Sequence, residues 1–347
     1  MKRVLSGMRP TGRLHLGNYM GALYNWVRMQ QQFNCYFFIA DWHALTTDYA
    51  DTSSLKQNTM DVALDWLAAG LEPERCVLFV QSLVPQHAEL HLLLSMITPL
   101  GWLERVPTYK EQQQQIGDVA AGGKDLSTYG FLGYPLLQSA DILLYQADVV
   151  PVGQDQVAHV ELTREVARRF NNFYPPAGDC AAPVLPEPQV LLTPSPKLPG
   201  TDGRKMSKSY GNTIMLTDPE PVIRQKLKTM VTDPARVRRT DPGDPDLCPV
   251  GDLHKVFSSA ETMDKVYAGC RSASIGCIEC KSWAADAIVA ELLPLQERRR
   301  RFEQSPGLVT EILHQGSELA RARAEQTMQQ VRAAMHLIEP EEGERAQ

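Results

Sequence analysis

The chain has 347 residues, 43% of them hydrophobic and 22% charged, and its 35 basic against 41 acidic side chains leave a formal net charge of −6. That composition is ordinary for a globular protein; it excludes a disordered, collagen-like or small disulfide-stapled chain and suggests two or three domains. The acidic total argues against a protein that coats nucleic acid, though not against one with a local basic patch.

No apolar run approaches the roughly 18 residues of a membrane span. The longest compact one, Cys35 to Ala40, is strand-sized, and Lys2 and Arg3 are not followed by the apolar stretch of a secretory signal. A reducing, cytoplasmic location is therefore expected. Of seven cysteines, Cys248, Cys270, Cys277 and Cys280 fall near one end, and in that compartment a cluster suggests metal before disulfides.

In chain order, Val4-Leu5, Cys35–Ala40 and Cys76–Val80 read as buried strands. Between them Met20, Leu23, Tyr24 and Val27, and later Leu64, Leu67, Ala68 and Leu71, fall at helical spacing. Strand–helix–strand alternation predicts an α/β fold, a doubly wound parallel sheet with helices on both faces. Ser6-Gly7, Asp41 with His43, and Gln81 follow the strands, where ligands of such sheets bind. Residues 111–127, with Gln112 to Gln115 and Gly117, Gly122 and Gly123, read as a mobile surface loop, and Pro175 to Pro199 as an irregular connector interrupted by a short strand at Val190–Leu192. An apolar helix is expected over Pro135–Tyr145. Beyond about residue 216 strand signals fade into helical patterns at 222–231, 251–268, 281–304 and 308–337. The boundary is drawn there: a catalytic domain over 1–215 and an all-helical domain over 216–347.

Two motifs suit phosphate. Gly7-Met8-Arg9-Pro10-Thr11-Gly12-Arg13-Leu14-His15-Leu16-Gly17-Asn18 joins the first strand to the first helix; its glycines allow close backbone approach, the helix start offers N–H groups to an anion, and His15 can donate to a phosphate oxygen. Lys205-Met206-Ser207-Lys208-Ser209 lies on a Gly-flanked loop, where two mobile cations can follow charge developing on a leaving group. A third stretch, Gly133 to Tyr145, places Asp141 inside the apolar helix, where a carboxylate needs donors.

Together, His15-Leu16-Gly17-Asn18 and Lys205–Ser209 resemble the paired signature of class I aminoacyl-tRNA synthetases, with Asn18 where the family usually has a second histidine. Gly133–Tyr145, Val150–Gln156, His159–Arg164 and Asp41–Thr46 resemble the tryptophanyl-tRNA synthetase branch, and the likeness runs from Leu5 to about Leu337. It implies a Rossmann-like catalytic domain, a helical anticodon-binding domain, a homodimer, and ATP-dependent attachment of tryptophan to tRNA(Trp) through an adenylate, with Mg²⁺ arriving on ATP. It further implies ATP contacts at Arg9, Pro10, Thr11, His15, Gly17, Asn18, Gly153, Gln154, Asp155, Leu198, Lys205, Met206, Ser207, Lys208 and Ser209, with His15, Asn18, Lys205 and Lys208 catalytic. Asp141 would read the indole, whose N–H is a donor only, and Tyr134, Gln138, His43 and Gln156 would complete the pocket.

The spacing Cys248-x21-Cys270-x6-Cys277-x2-Cys280 resembles, one residue short in its first gap, the C-x22-C-x6-C-x2-C pattern of family members that carry a [4Fe–4S] cluster; zinc is the alternative. Arg224, Lys226, Lys228, Arg236, Arg238 and Arg239, and the run Arg298–Arg301, are basic patches suited to a phosphate backbone or to solvated helix faces. Two competing readings are a tyrosyl-tRNA synthetase and a paralogue that binds nucleotide or RNA without charging tRNA.

Overall fold

The structure, a computed structural model, describes residues 1–107, 109–110, 125–175, 182–193 and 197–338. The glutamine- and glycine-rich segment from Gln112 to Gly123 lies outside the described residues.

Among the described residues five parallel strands form the centre: β1 (Arg3–Met8), β2 (Asn34–Ile39), β3 (Cys76–Val80), β4 (Val149–Val152) and β5 (Gln189–Leu192), in the order β3-β2-β1-β4-β5. Val4 pairs with Cys35 on one side and Val149 on the other, so the order reverses at β1. Side chains alternate between two cores. Val4, Phe37 and Leu78 face one with Trp26 and Trp66; Leu5, Phe38 and Phe79 face the other with Leu143 and Tyr145.

After β1 come α1 (Leu16–Asn18), a π-helical turn (Tyr19–Leu23) and α2 (Tyr24–Met29); α3 (Asp41–Asp48) and α4 (Leu55–Ala69) lead to β3. Then follow α5 (Gln86–Ser95), α6 (Leu100–Leu103), α7 (Tyr129–Leu144) and α8 (Val157–Phe173). The later part holds α9 (Glu220–Thr229), α10 (Pro249–Phe257), α11 (Ala260–Arg271), α12 (Cys277–Glu303) and α13 (Pro306–Ala334).

Three expectations are corrected. β4 was not expected, because four residues containing a proline give little strand signal. The helix expected over Pro135–Tyr145 begins at Tyr129, where Thr128 accepts from the Phe131 N–H; Pro135 sits inside it rather than at its start. The single helix expected over 251–268 is two, divided at Ser258 and Ser259, where Ser259 caps α11 by accepting from Thr262 N–H.

The helical region shares its core with the sheet. Ile223, Leu253, Ile288, Leu292 and Val309 belong to the same buried cluster as Phe37 and Trp66. α13 lies against β3, the edge strand: Val80 N–H donates to Ser317 Oγ (3.3 Å), and a Cβ on Gly316 would come within 1.9 Å of the Leu78 carbonyl oxygen. A sheet edge that would otherwise invite pairing is thereby covered. Among the described residues no helix is long and apolar enough to cross a membrane.

Candidate active site

A cavity of about 370 Å³ opens beyond the carboxyl ends of β1 and β4, at the reversal of strand order. β1 contributes Ser6 and Gly7; a Cβ on Gly7 would sit 2.4 Å from the Phe38 ring, so a larger residue there would displace that ring. Arg9, His43, Tyr134, Gln138, Asp141, Gly153 and Gln156, all expected from the sequence, line it. So do Gly21, Ala22 and Asn25, presented by the π-helical turn and the start of α2.

Asp141, 1% exposed, is the cavity's buried carboxylate. Its Oδ2 accepts from His43 Nε2 (2.8 Å), and its Oδ1 from Gln81 Nε2 (2.8 Å) and His87 Nδ1 (2.6 Å). Burial pushes the carboxyl up, but hydrogen bonds and charge from the two histidines outweigh it and hold Asp141 well below the usual carboxylate range. An ionised acceptor thus stands at the wall of a cavity lined by both polar and apolar side chains. His159, buried behind Tyr134, is lowered to about 4 by burial and by the charge of His43, and it bonds Gln156 Oε1 through Nδ1 (2.8 Å).

The signature turn is built around His15. It caps α1: Nδ1 accepts from Asn18 N–H (3.3 Å), while Asn18 Oδ1 accepts from His15 N–H (3.2 Å). This reciprocal box explains Asn18, whose carboxamide oxygen reaches back to close the turn. With Nδ1 an acceptor, the ring proton is on Nε2, which is left as a donor. Burial and the charge of Lys208 lower His15 to about 4, so it is neutral at pH 7. Leu14 N–H donates to the fully buried Asp65 (2.7 Å), itself paired with Arg299 of α12.

The lysine loop closes on this turn. Leu16 N–H donates to Ile214 O and Leu216 N–H to Leu14 O, both at 2.9 Å. Lys208 Nζ donates to Thr11 O (2.7 Å). Asn212 fixes the loop from inside, donating to Asp202 Oδ1 (2.7 Å) and Lys205 O (3.2 Å) and accepting from Ser207 N–H (2.8 Å). Lys208, Pro10 and Thr11 line a second cavity of about 700 Å³. Arg9 reaches Thr47 Oγ1 (2.5 Å) and Asp48 (3.4 Å) on α3.

Other expected residues stand apart. Leu198 and Met206 are buried in the core, joined by a Met206 N–H to Leu198 O bond, and line neither cavity. Gln154 and Asp155 are exposed on a short 3₁₀ turn, as are Lys205 and Ser209 on their loop. The basic patches are reduced: Arg236 is buried with its guanidinium on Arg239 O, Ile275 O and Cys270 Sγ, and Arg299 is buried against Asp61 and Asp65. Arg224 pairs with Glu220 and Asp286, and Lys226 with Asp218.

The four cysteines gather from three helices. Cys248 precedes α10, Cys270 lies near the end of α11, and Cys277 and Cys280 open α12. Burial, then the neighbouring Cys248, Cys270 and Cys277, push the Cys280 thiol up to about 12; Cys270 is raised by burial against the opposing charge of Arg236. Among the described residues, however, no group of three or more His, Cys, Asp or Glu stands in position to hold a metal ion. The expected four-thiolate centre is gathered but not closed.

Residues that sequence reasoning missed stand behind the cavity or, in the case of Asp65, under the signature turn. His87, Tyr145 and Asp65 are buried polar groups whose partners lie 50 or more residues away, so no local pattern marks them. Gln81 reads in the sequence only as a strand-end residue; in the structure it donates to Asp141.

Residues 1–292 match the family model described as tRNA synthetases class I (W and Y). The tryptophan–tRNA ligase of Thermotoga maritima is 52% identical, covering 97% of this chain and 99% of that one; that of Ralstonia nicotianae is 48% identical, covering 97% and 98%. A crystal structure of the Campylobacter jejuni tryptophanyl-tRNA synthetase, complexed with ADP and tryptophan, superimposes with a TM-score of 0.83 at 33% identity, covering 96% of this chain and 100% of that one. The chain belongs to the tryptophanyl-tRNA synthetases of class I.

Proposed function

We propose that this protein attaches tryptophan to tRNA(Trp) in two steps at the cavity between β1 and β4. A tryptophan carboxylate oxygen attacks the α-phosphorus of ATP, and the bond to the pyrophosphate breaks. The ribose 2′-OH at the end of the tRNA then attacks the acyl carbon, and AMP leaves. The observation that carries the reading is the ionised Asp141 at the wall of the cavity, on the same side of the sheet as the His15 turn and the lysine loop.

The indole N–H donates to Asp141, a charged hydrogen bond contributing roughly 1.5–3 kcal/mol. Tyr134, Gln138, His43 and Gln156 shape the rest of the amino-acid pocket. His15 Nε2–H and the first N–H groups of the helix meet phosphate oxygens, Asn18 holds the turn, and Arg9, Pro10, Thr11, Gly17, Gly153, Gln154 and Asp155 lie along the nucleotide. Lys208 exchanges the Thr11 carbonyl for a pyrophosphate oxygen, and Lys205, Ser207 and Ser209 follow with the loop; these contacts stabilise charge that appears only as the leaving group departs. Leu198 and Met206 act through the packing of that loop. Mg²⁺ bound to ATP supplies further charge neutralisation.

Residues 1–215 serve as the catalytic domain and 216–347 as the anticodon-binding part of a cytoplasmic homodimer. The spacing of Cys248, Cys270, Cys277 and Cys280 in the sequence is the ground for a metal centre there, a [4Fe–4S] cluster or a zinc ion, which would cross-link α10, α11 and α12 once the four ligands close on it. Aminoacylation of bulk tRNA by the purified protein tests the main reading: tryptophan is expected to become acid-precipitable, and nucleotide binding without charging would show a non-catalytic paralogue.

A further inference from the structure

Asp141 is reached from two sides. His43 lines the cavity and meets Oδ2; Gln81 and His87 stand behind the wall and meet Oδ1. Among the described residues two donors fill the two lone pairs of Oδ1, whereas Oδ2 holds one donor and keeps one acceptor direction. Which oxygen meets an indole N–H is therefore decided from behind the pocket.

His87 is fully buried, with its ring among those of Phe38, Phe79 and Tyr145. Its Nδ1–H donates to Asp141 at 2.6 Å, and its other nitrogen, Nε2, is hydrogen-bonded to the Tyr145 hydroxyl at 2.9 Å. Tyr145 is 0% exposed and its hydroxyl stays protonated, since burial and the Asp141 charge raise it well above the ordinary tyrosine value. A buried carboxylate would need only its charge satisfied for stability; here an equally buried hydroxyl engages the far ring nitrogen, Nε2, and so holds the ring with Nδ1 turned to the carboxylate.

We infer that His87, oriented by Tyr145, is a positioning residue for indole recognition, clamping Asp141 by Oδ1 so that Oδ2 is the oxygen presented to the substrate. The inference rests on Asp141 being the indole acceptor.

The test compares kcat/KM in ATP–pyrophosphate exchange for tryptophan and for the benzothiophene analogue of tryptophan, in which sulfur replaces the indole N–H. The ratio of the two reads that hydrogen bond, and the ATP KM serves as control. His87→Leu is expected to lower the ratio about tenfold, the order of one misplaced hydrogen bond, with the ATP KM unchanged. His87→Asn places an amide N–H where Nδ1–H stood and is expected to keep most of the ratio; His87→Gln places it at the Nε2 position and is expected to lose it. An unchanged ratio in His87→Leu overturns the inference. Should that variant fail to fold, equal ratios in the Asn and Gln variants overturn it instead. Asp141→Asn separates the two levels: no loss of the ratio there sinks the indole reading itself, whereas loss there without loss in the His87 variants sinks only the clamp.

Discussion

Replacing Arg299 should disturb the fold and the signature turn together. Its buried guanidinium meets Asp61 Oδ1 (2.9 Å), Asp61 O (3.2 Å) and the fully buried Asp65, whose other oxygen accepts from Leu14 N–H next to His15. Burial pushes the Asp65 carboxyl up to about 6 in spite of Arg299. A carboxyl raised from 3.8 to about 6 favours folding fully below 3.8 and loses that contribution as pH rises through 6, on the order of 3 kcal/mol by pH 7. Without Arg299 the carboxyl rises further, and above its new value an unpaired charge is left buried. Arg299→Met is therefore expected to destabilise by about 3–5 kcal/mol at pH 8, and by clearly less at pH 5.5, where Asp65 takes up a proton. Asp65→Asn in the same background should recover part of the loss at pH 8. Urea unfolding at the two pH values measures this. A deficit under about 1 kcal/mol, or one equal at both pH values, would refute the argument that Asp65 depends on Arg299.

Lys208→Ala should slow adenylate formation while leaving tryptophan affinity nearly unchanged, measured by pre-steady-state quench; a change confined to tryptophan Kd would remove the lysine from the chemistry. The same variant should raise the titration midpoint of His15, seen by NMR, above its value of about 4, because the Lys208 charge opposes protonation; a wild-type midpoint near 6.5 would contradict the buried turn. Gly316→Ala should lower stability by about 3 kcal/mol, since its Cβ would meet the Leu78 carbonyl oxygen at 1.9 Å and lift α13 from the sheet edge; calorimetry showing an unchanged Tm would mean the contact relaxes freely. Protein purified without oxygen should carry roughly four irons per chain on cluster stoichiometry; one zinc and no iron selects the alternative, and four freely titratable thiols with no metal rejects both.

Much of the site was legible because its marks are local. Glycines and polar residues at strand ends, a His-Leu-Gly-Asn turn and a Lys-Met-Ser-Lys-Ser loop announce themselves over a dozen residues, and the parallel sheet follows from apolar runs alternating with helical spacing. Asn18 needed the structure: its exchange of hydrogen bonds with His15 shows why a carboxamide serves there. What stayed hidden depends on distant partners. Arg299 and Arg236 look like surface charge in a basic run, yet both are buried, one by carboxylates of α4 and the other by carbonyls and a cysteine. β4 hid behind Pro151, and the first six residues of α7 behind Pro135, because a proline inside an element reads as its boundary. His87 carried no signal, and Tyr145 only that of the stretch it ends, because a buried polar side chain is recognised only through the partner it meets.

Tryptophan-dependent ATP–pyrophosphate exchange, with tyrosine and phenylalanine offered in parallel, tests the central assignment most directly. Exchange is expected with tryptophan and to fall by roughly 10⁴-fold or more with phenylalanine, which has no N–H to satisfy Asp141. Equal exchange with phenylalanine, or a preference for tyrosine, would contradict the reading of the Asp141 cavity as a tryptophan site.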